Sequence, residues 1–243
     1  MHSQRRRVGP QRVAGGTTRI EPVVIIPGIG MSHRYSSRLA RVLAESGPVH
    51  SFDLPGFGGQ PRPRGPVSVE GYAEIVARAV DERRLPSATV IGHSMGAQIA
   101  VELARTRPDL VRRLVLAAPV VDPTRRTRRE QALDLLHDIV AETPSSTAVI
   151  VGDFLRTGPP FFFAALDAML DYRIEEAAQD VGCPVLVVRG DDDPVSRAEW
   201  GRALARIVAD GRFVEVEGAG HVLQHTAAAT LAEVIDDFAG RRR

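Results

Sequence analysis

The stretch Ala88 to Pro108, ATVIGHSMGAQIAVELARTRP, constrains the fold more than any other part of the chain. A short apolar run, Ala88 to Ile91, meets Gly92-His93-Ser94-Met95-Gly96, and an alanine-rich segment then runs to Pro108. A serine between two glycines, at the join of a strand and a helix, fits a sharp and strained turn of the G-x-S-x-G type. Bulky side chains two positions to either side would collide with such a turn, so glycine stands there. The turn exposes the Ser94 hydroxyl and points the N–H of Met95 toward the same space. It also sets Ser94 at a helix N-terminus, where the dipole favours developing negative charge.

The flanking sequence repeats the strand–helix order. Val23 to Ile26 is a β-branched run ended by Pro27-Gly28-Ile29-Gly30, and Val49 to Leu54 is a second, closed by Pro55-Gly56-Phe57-Gly58-Gly59. Helical spacing over Tyr35–Ser46, Val69–Glu82 and Met95–Arg107 alternates with these runs and with a further strand at Arg112–Ala118. The pattern resumes with strands at Pro184–Arg189 and Arg212–Val216, and helices near Ala198–Ala209 and Thr226–Phe238. Short strands of this kind, joined by helices, predict an α/β fold with a mostly parallel central sheet covered on both faces.

Between them the alternation lapses. Residues 122–180 offer amphipathic helices, around Glu130–Val140 and Phe162–Glu176, and an ambiguous run at Ala148–Val151. This reads as a helical insertion between two sheet strands, splitting the main domain into residues 20–121 and 181–240. Such an insertion makes a lid, since ligands sit at the carboxyl ends of parallel strands. Its Phe154, Phe161 and Phe162, with Phe163, Leu166 and Met169 beside them, are the candidate substrate-binding surface. Residues 1–19 read as a basic tail or a weak first strand. The arginines at positions 5–7 lack the apolar stretch of a secretion signal behind them.

Composition narrows the functional classes. The formal net charge is only +1, so nothing points to a nucleic-acid partner. All basic residues are arginine, which phosphate recognition alone would not produce. No segment approaches the ~18–20 apolar residues of a membrane span. The single cysteine, Cys183, cannot form an internal disulfide and fits a reducing cytoplasm. The expected partner is a small-molecule substrate, and no oligomeric state is read from the sequence.

A serine hydroxyl is a weak nucleophile at neutral pH and needs a base. Of seven histidines, His221 follows the flexible run Glu217-Gly218-Ala219-Gly220, just after the last strand. His93 belongs to the serine turn and is expected to point elsewhere. The base in turn needs an acid. Asp191, Asp192 and Asp193 follow a buried strand directly, and one of them is expected to hold the histidine, with Asp122 the competing acid. A cation site would need further oxygen ligands at set spacing, and none is evident, so no metal is expected.

Taken together, these motifs resemble the α/β-hydrolase superfamily from about Glu21 to Ala239. The resemblance implies a nucleophile–acid–base order of Ser94, Asp193 and His221, with Asp193 chosen because the acid usually follows the turn glycine by three positions. SFDLPGFGGQP resembles the superfamily's Asp-x-Pro-Gly-x-Gly-x-Ser loop. IPGIG resembles its His-Gly-x-Gly loop, which makes Ile29 the second oxyanion donor beside Met95. Pro27 replaces the histidine that usually braces that loop. The implied activity is serine hydrolysis of an ester, lactone or thioester of an apolar or aromatic substrate, with no cofactor. The alternatives are a carbon–carbon bond hydrolase, a cofactor-free perhydrolase, and a non-catalytic ligand-binding protein on the same fold.

Overall fold

The computed structural model describes residues 21–130 and 144–240. The reading of residues 1–19, and nearly all of the helix expected at Glu130–Val140, lie outside these. Six strands form one parallel sheet in the order β2-β1-β3-β4-β5-β6. They are β1 (Val23–Ile26), β2 (Val49–Ser51), β3 (Ala88–His93), β4 (Val111–Ala117), β5 (Val185–Gly190) and β6 (Gly211–Val216). The helices between them are α1 (Ser37–Leu43), α2 (Val69–Glu82), α3 (Met95–Thr106), α7 (Ala198–Ile207), α8 (Leu223–Thr226) and α9 (Ala228–Ala239), with the inserted α4 to α6 described below.

Strands β1, β3 and β5 are buried along their whole length, as central parallel strands covered on both faces must be. Successive side chains point to opposite faces, and the core divides accordingly. Val24, Ile26, Val90, Leu114, Leu116, Val185 and Val187 join one cluster with α2, α3 and α7. Val23, Ile25, Ile91, Val115, Leu186 and Val188 join the other with α1 and α9. Helix α2 starts where the Ser68 hydroxyl accepts the N–H of Gly71 (3.0 Å). Cys183 packs at the edge of the first cluster, and burial pushes its thiol up to about 11.

Strand β4 pairs directly with β5, yet 67 residues separate Ala117 from Val185 in sequence. Every described helix or strand in that interval is helical: α4 (Pro144–Thr157), α5 (Pro159–Asp171), α6 (Ile174–Ala177) and a 3-10 turn. The ambiguous run at Ala148–Val151 lies inside α4. The helix expected to run through Phe162–Glu176 breaks after Asp171, where Tyr172 takes an extended backbone (φ −71°, ψ 130°). Among the described residues no single helix is long and apolar enough to cross a membrane.

Candidate active site

Because all strands are parallel, β1, β3, β5 and β6 deliver their following loops to one edge of the sheet. Ser94 follows β3 with φ 56° and ψ −121°, a region L-residues avoid. Two glycines make this possible by close approach. A Cβ on Gly92 would fall inside the backbone of Gly96, and one on Gly96 inside the carbonyls of Ile26 and Pro27. Met95 is the first residue of α3, so its N–H has no intrahelical acceptor.

Gly190 ends β5 in a similar contact, because a Cβ there would overlap the carbonyl of Ala219. The loops after β5 and β6 therefore lie against each other, joined by the N–H of Asp192 on Ala219 O (3.1 Å) and of Asp191 on Val216 O (3.1 Å). Of the aspartate triplet only Asp193 is buried. Its Oδ2 meets His221 Nδ1 at 2.9 Å, and its Oδ1 accepts the N–H groups of Val195 (2.8 Å) and Ser196 (2.9 Å). Burial opposes ionisation of Asp193, but the charge and hydrogen bond of His221 and the two backbone donors outweigh it. Its pKa is held below the ordinary carboxylate value. Asp191 caps Gly218 N instead (2.7 Å), and Asp122 accepts from Thr124 in an exposed turn.

Buried Arg189 ties the loop after β5 together. It donates to the carbonyls of Ser196, Asp193 (2.8 Å) and Asp191 (3.3 Å) and pairs with Glu215 (2.5 Å). A lone arginine at the end of an apolar strand was the available signal for this role.

His93 departs from expectation. Its side chain turns into the site, with Nε2 donating to the carbonyl of His221 (2.9 Å) and the two rings 5.0 Å apart. That carbonyl can only accept, so the proton sits on Nε2. Burial first, and neighbouring His221 second, push His93 down to about 3. It therefore stays neutral.

A cavity of about 240 Å³ opens over Ser94. Gly28, Ile29, Met31 and Tyr35 form one side, His93, Ser94 and His221 the floor, and Ile150, Val151, Phe154 and Phe162 the helical cover. Of the three candidate phenylalanines, Phe154 and Phe162 line it and touch each other (5.0 Å between rings). Phe161 does not. It packs on Phe57 (5.6 Å), lies under Arg62 (5.1 Å) and fills the space that Gly56 leaves for want of a side chain. Consecutive helical residues point about 100° apart, and the way α5 docks turns Phe162 to the cavity and Phe161 to Phe57. Sequence reasoning missed Met31, Tyr35 and Ile150, which reach the cavity from a loop, a 3-10 turn and helix α4. The insertion's arginines stay outside it: Arg126 binds Glu175 (2.6 Å) and the carbonyls of Leu170 and Tyr172, and Arg128 pairs with Asp167.

The alpha/beta hydrolase family model matches residues 23–234. The pimeloyl-[acyl-carrier protein] methyl ester esterase of Neisseria meningitidis is 28% identical, covering 90% of this chain and 93% of its own length. The (E)-2-((N-methylformamido)methylene)succinate hydrolase of Acinetobacter baylyi is 27% identical, covering 85% of this chain and 86% of its own. Among solved structures, the enol-lactonase from Burkholderia xenovorans LB400 superposes with a TM-score of 0.78 at 23% identity, covering 91% and 92% of the two chains.

Proposed function

The chain belongs to the alpha/beta hydrolase family and is a hydrolytic enzyme, and from that premise we propose that it cleaves a small, uncharged carboxylic ester or lactone through Ser94, His221 and Asp193. The observation that carries this reading is the cavity over Ser94. Its described lining holds no carboxylate, arginine or lysine, while serine and two histidines form its floor. At about 240 Å³ it falls below the ~300–1,000 Å³ of drug-sized sites. A short acyl or alcohol part fits, and a carboxylate-bearing one would find no cation there.

In this mechanism Asp193 holds the Nδ1 proton of His221, which leaves the Nε2 lone pair as the base. Ser94 loses its proton to His221 as its Oγ attacks the carbonyl carbon. The N–H groups of Met95 and Ile29 receive the oxyanion, one such donor being worth roughly 2.7–4 kcal/mol. His221 then protonates the leaving oxygen, and water releases the acyl group by the same steps. The helical insertion acts as a lid that keeps the cavity apolar.

The test is labelling by a fluorophosphonate together with turnover of p-nitrophenyl acetate, butyrate and palmitate. Wild type should label and prefer the short esters, Ser94→Ala should do neither, and Asp193→Asn should lose roughly 10⁴ in kcat. A labelled, fully active Ser94→Ala variant would remove the nucleophile assignment. Preference for a dicarboxylate ester would remove the substrate class.

A further inference from the structure

Helix α4 reaches the Gly28–Ser32 turn through one carboxylate. Asp153 is only 1% exposed. Its Oδ2 accepts both the backbone N–H of Ser32 (2.9 Å) and the Ser32 hydroxyl (2.6 Å), and its Oδ1 pairs with Arg156 one turn on (2.9 Å). Burying a carboxylate costs several kcal/mol unless it is paired and hydrogen-bonded. These three donors answer that cost, and two of them come from Ser32, 121 residues away in sequence. The same face of the lid touches the turn twice more. Thr157 Oγ1 points at the carbonyl of Gly30 (3.5 Å), and the Phe162 ring packs over Gly30 so closely that a Cβ would sit 3.2 Å from it.

The turn itself has few bonds of its own, although just past it Asp53 accepts the N–H of His33 (2.5 Å) and meets its Nδ1 (2.7 Å). One backbone bond, Met31 N–H to Gly28 O (3.2 Å), closes it, and Gly30 stands in the left-handed region (φ 74°). Pro27, just before it, has no N–H and no polar side chain. Ile29 is the second residue of this turn, so its N–H is aimed only as well as the turn is fixed.

We propose that Asp153 is a positioning residue that couples the seating of the lid to the aim of the Ile29 N–H. The proposal rests on the reading of Ser94 and Ile29 given above. When the lid is down, Asp153 clamps Ser32 and the turn holds its donor over the cavity. When the lid lifts, Ser32 loses two bonds at once and the turn is free to relax. The second oxyanion donor is thereby fully aimed only when the lid covers the cavity, while that of Met95 is fixed by α3. Asp153 touches no reacting atom and acts through Ser32.

The experiment compares wild type, Asp153→Ala and Asp153→Asn. The readouts are kcat and KM for p-nitrophenyl butyrate, inhibition by butylboronic acid, melting temperature, and amide hydrogen exchange of the peptide spanning Gly28 to Ser36. Misaiming one oxyanion donor should lower kcat of Asp153→Ala roughly ten- to hundredfold. Its KM should move by less than about threefold, because KM reports binding that does not use the donor. The boronic acid, which forms a tetrahedral adduct, should weaken in step with kcat. Exchange of the turn amides should quicken while that of β3 and α3 does not. Asp153→Asn keeps an acceptor oxygen for Ser32 and should recover most of the loss.

A kcat for Asp153→Ala within about twofold of wild type would overturn the proposal. So would unchanged exchange of the turn, a loss accounted for by the unfolded fraction, or an asparagine variant as impaired as the alanine. Failure of the functional reading looks different. Ser94→Ala would then keep its turnover, while the exchange rates of the turn would still decide by themselves whether Asp153 holds it.

Discussion

Ser94 is held under the cavity by a strained backbone. Its backbone lies at φ 56° and ψ −121°, and a non-glycine residue so placed costs of order 1–3 kcal/mol. Ser94→Gly should therefore be more stable than Ser94→Ala by about 1 kcal/mol in urea unfolding, although both are inactive; equal stabilities would mean that the turn is not strained. His93 carries the second prediction at this scale. Its folded pKa, about 3, lies below the ordinary 6.5 because it is buried and because His221 lies beside it, which outweighs the opposing pull of Asp193. Below pH 6.5 the unfolded chain takes up a proton that the folded chain refuses. Stability should therefore be full above pH 6.5 and fall by up to about 1.4 kcal/mol per pH unit as pH drops toward 3. His93→Gln should flatten that limb in unfolding curves measured from pH 7 to 4. Asp193, depressed below 3.8, acts in the same direction but only at the acid end of this range. The serine turn was legible in the sequence because glycine spacing is itself the requirement. The inward turn of His93 was not, because the carbonyl it binds is 128 residues away.

At the scale of elements, α4 and α5 divide their phenylalanines between two tasks. Phe154 and Phe162 face the cavity, while Phe161 faces Phe57 and Gly56. Phe154→Ala and Phe162→Ala should enlarge the cavity and shift preference from p-nitrophenyl acetate toward longer acyl chains, and Phe162→Ala should also lower the melting temperature, because its ring is buried against Gly30. Phe161→Ala should leave chain-length preference alone and destabilise the fold by roughly 3 kcal/mol, the lower end for a buried phenylalanine. If all three change only stability, the cavity is not the acyl site. The sequence marked the insertion by the lapse in strand–helix alternation between β4 and β5. It did not sort the cluster at 161–163, since helical phase relative to a pocket is set by where α5 docks.

For the whole molecule, the decisive feature is that four loops from separate strands meet at one sheet edge. The closest join is between Gly190 and Ala219, which lets the acid loop and the base loop touch. Gly190→Ala should push His221 away from Asp193 and, as for a displacement of about 1 Å, lower kcat roughly hundredfold while the protein still folds. An active Gly190→Ala variant, or one that is merely unfolded, would show that this contact does not set the site. The sequence by itself determined the parallel sheet, the serine turn and the lapse in strand–helix alternation between β4 and β5. Each of these is written in local rules: β-branched runs, glycines where a Cβ would clash, and a change of hydrophobic period. The tertiary structure alone decided the rest. That His93 turns inward, that Phe161 leaves the cavity and that Asp153 reaches Ser32 all depend on side chains meeting across large sequence separations. A linear chain encodes which groups can form such contacts. Only packing, by removing water and fixing distances of about 3 Å, selects which of them do.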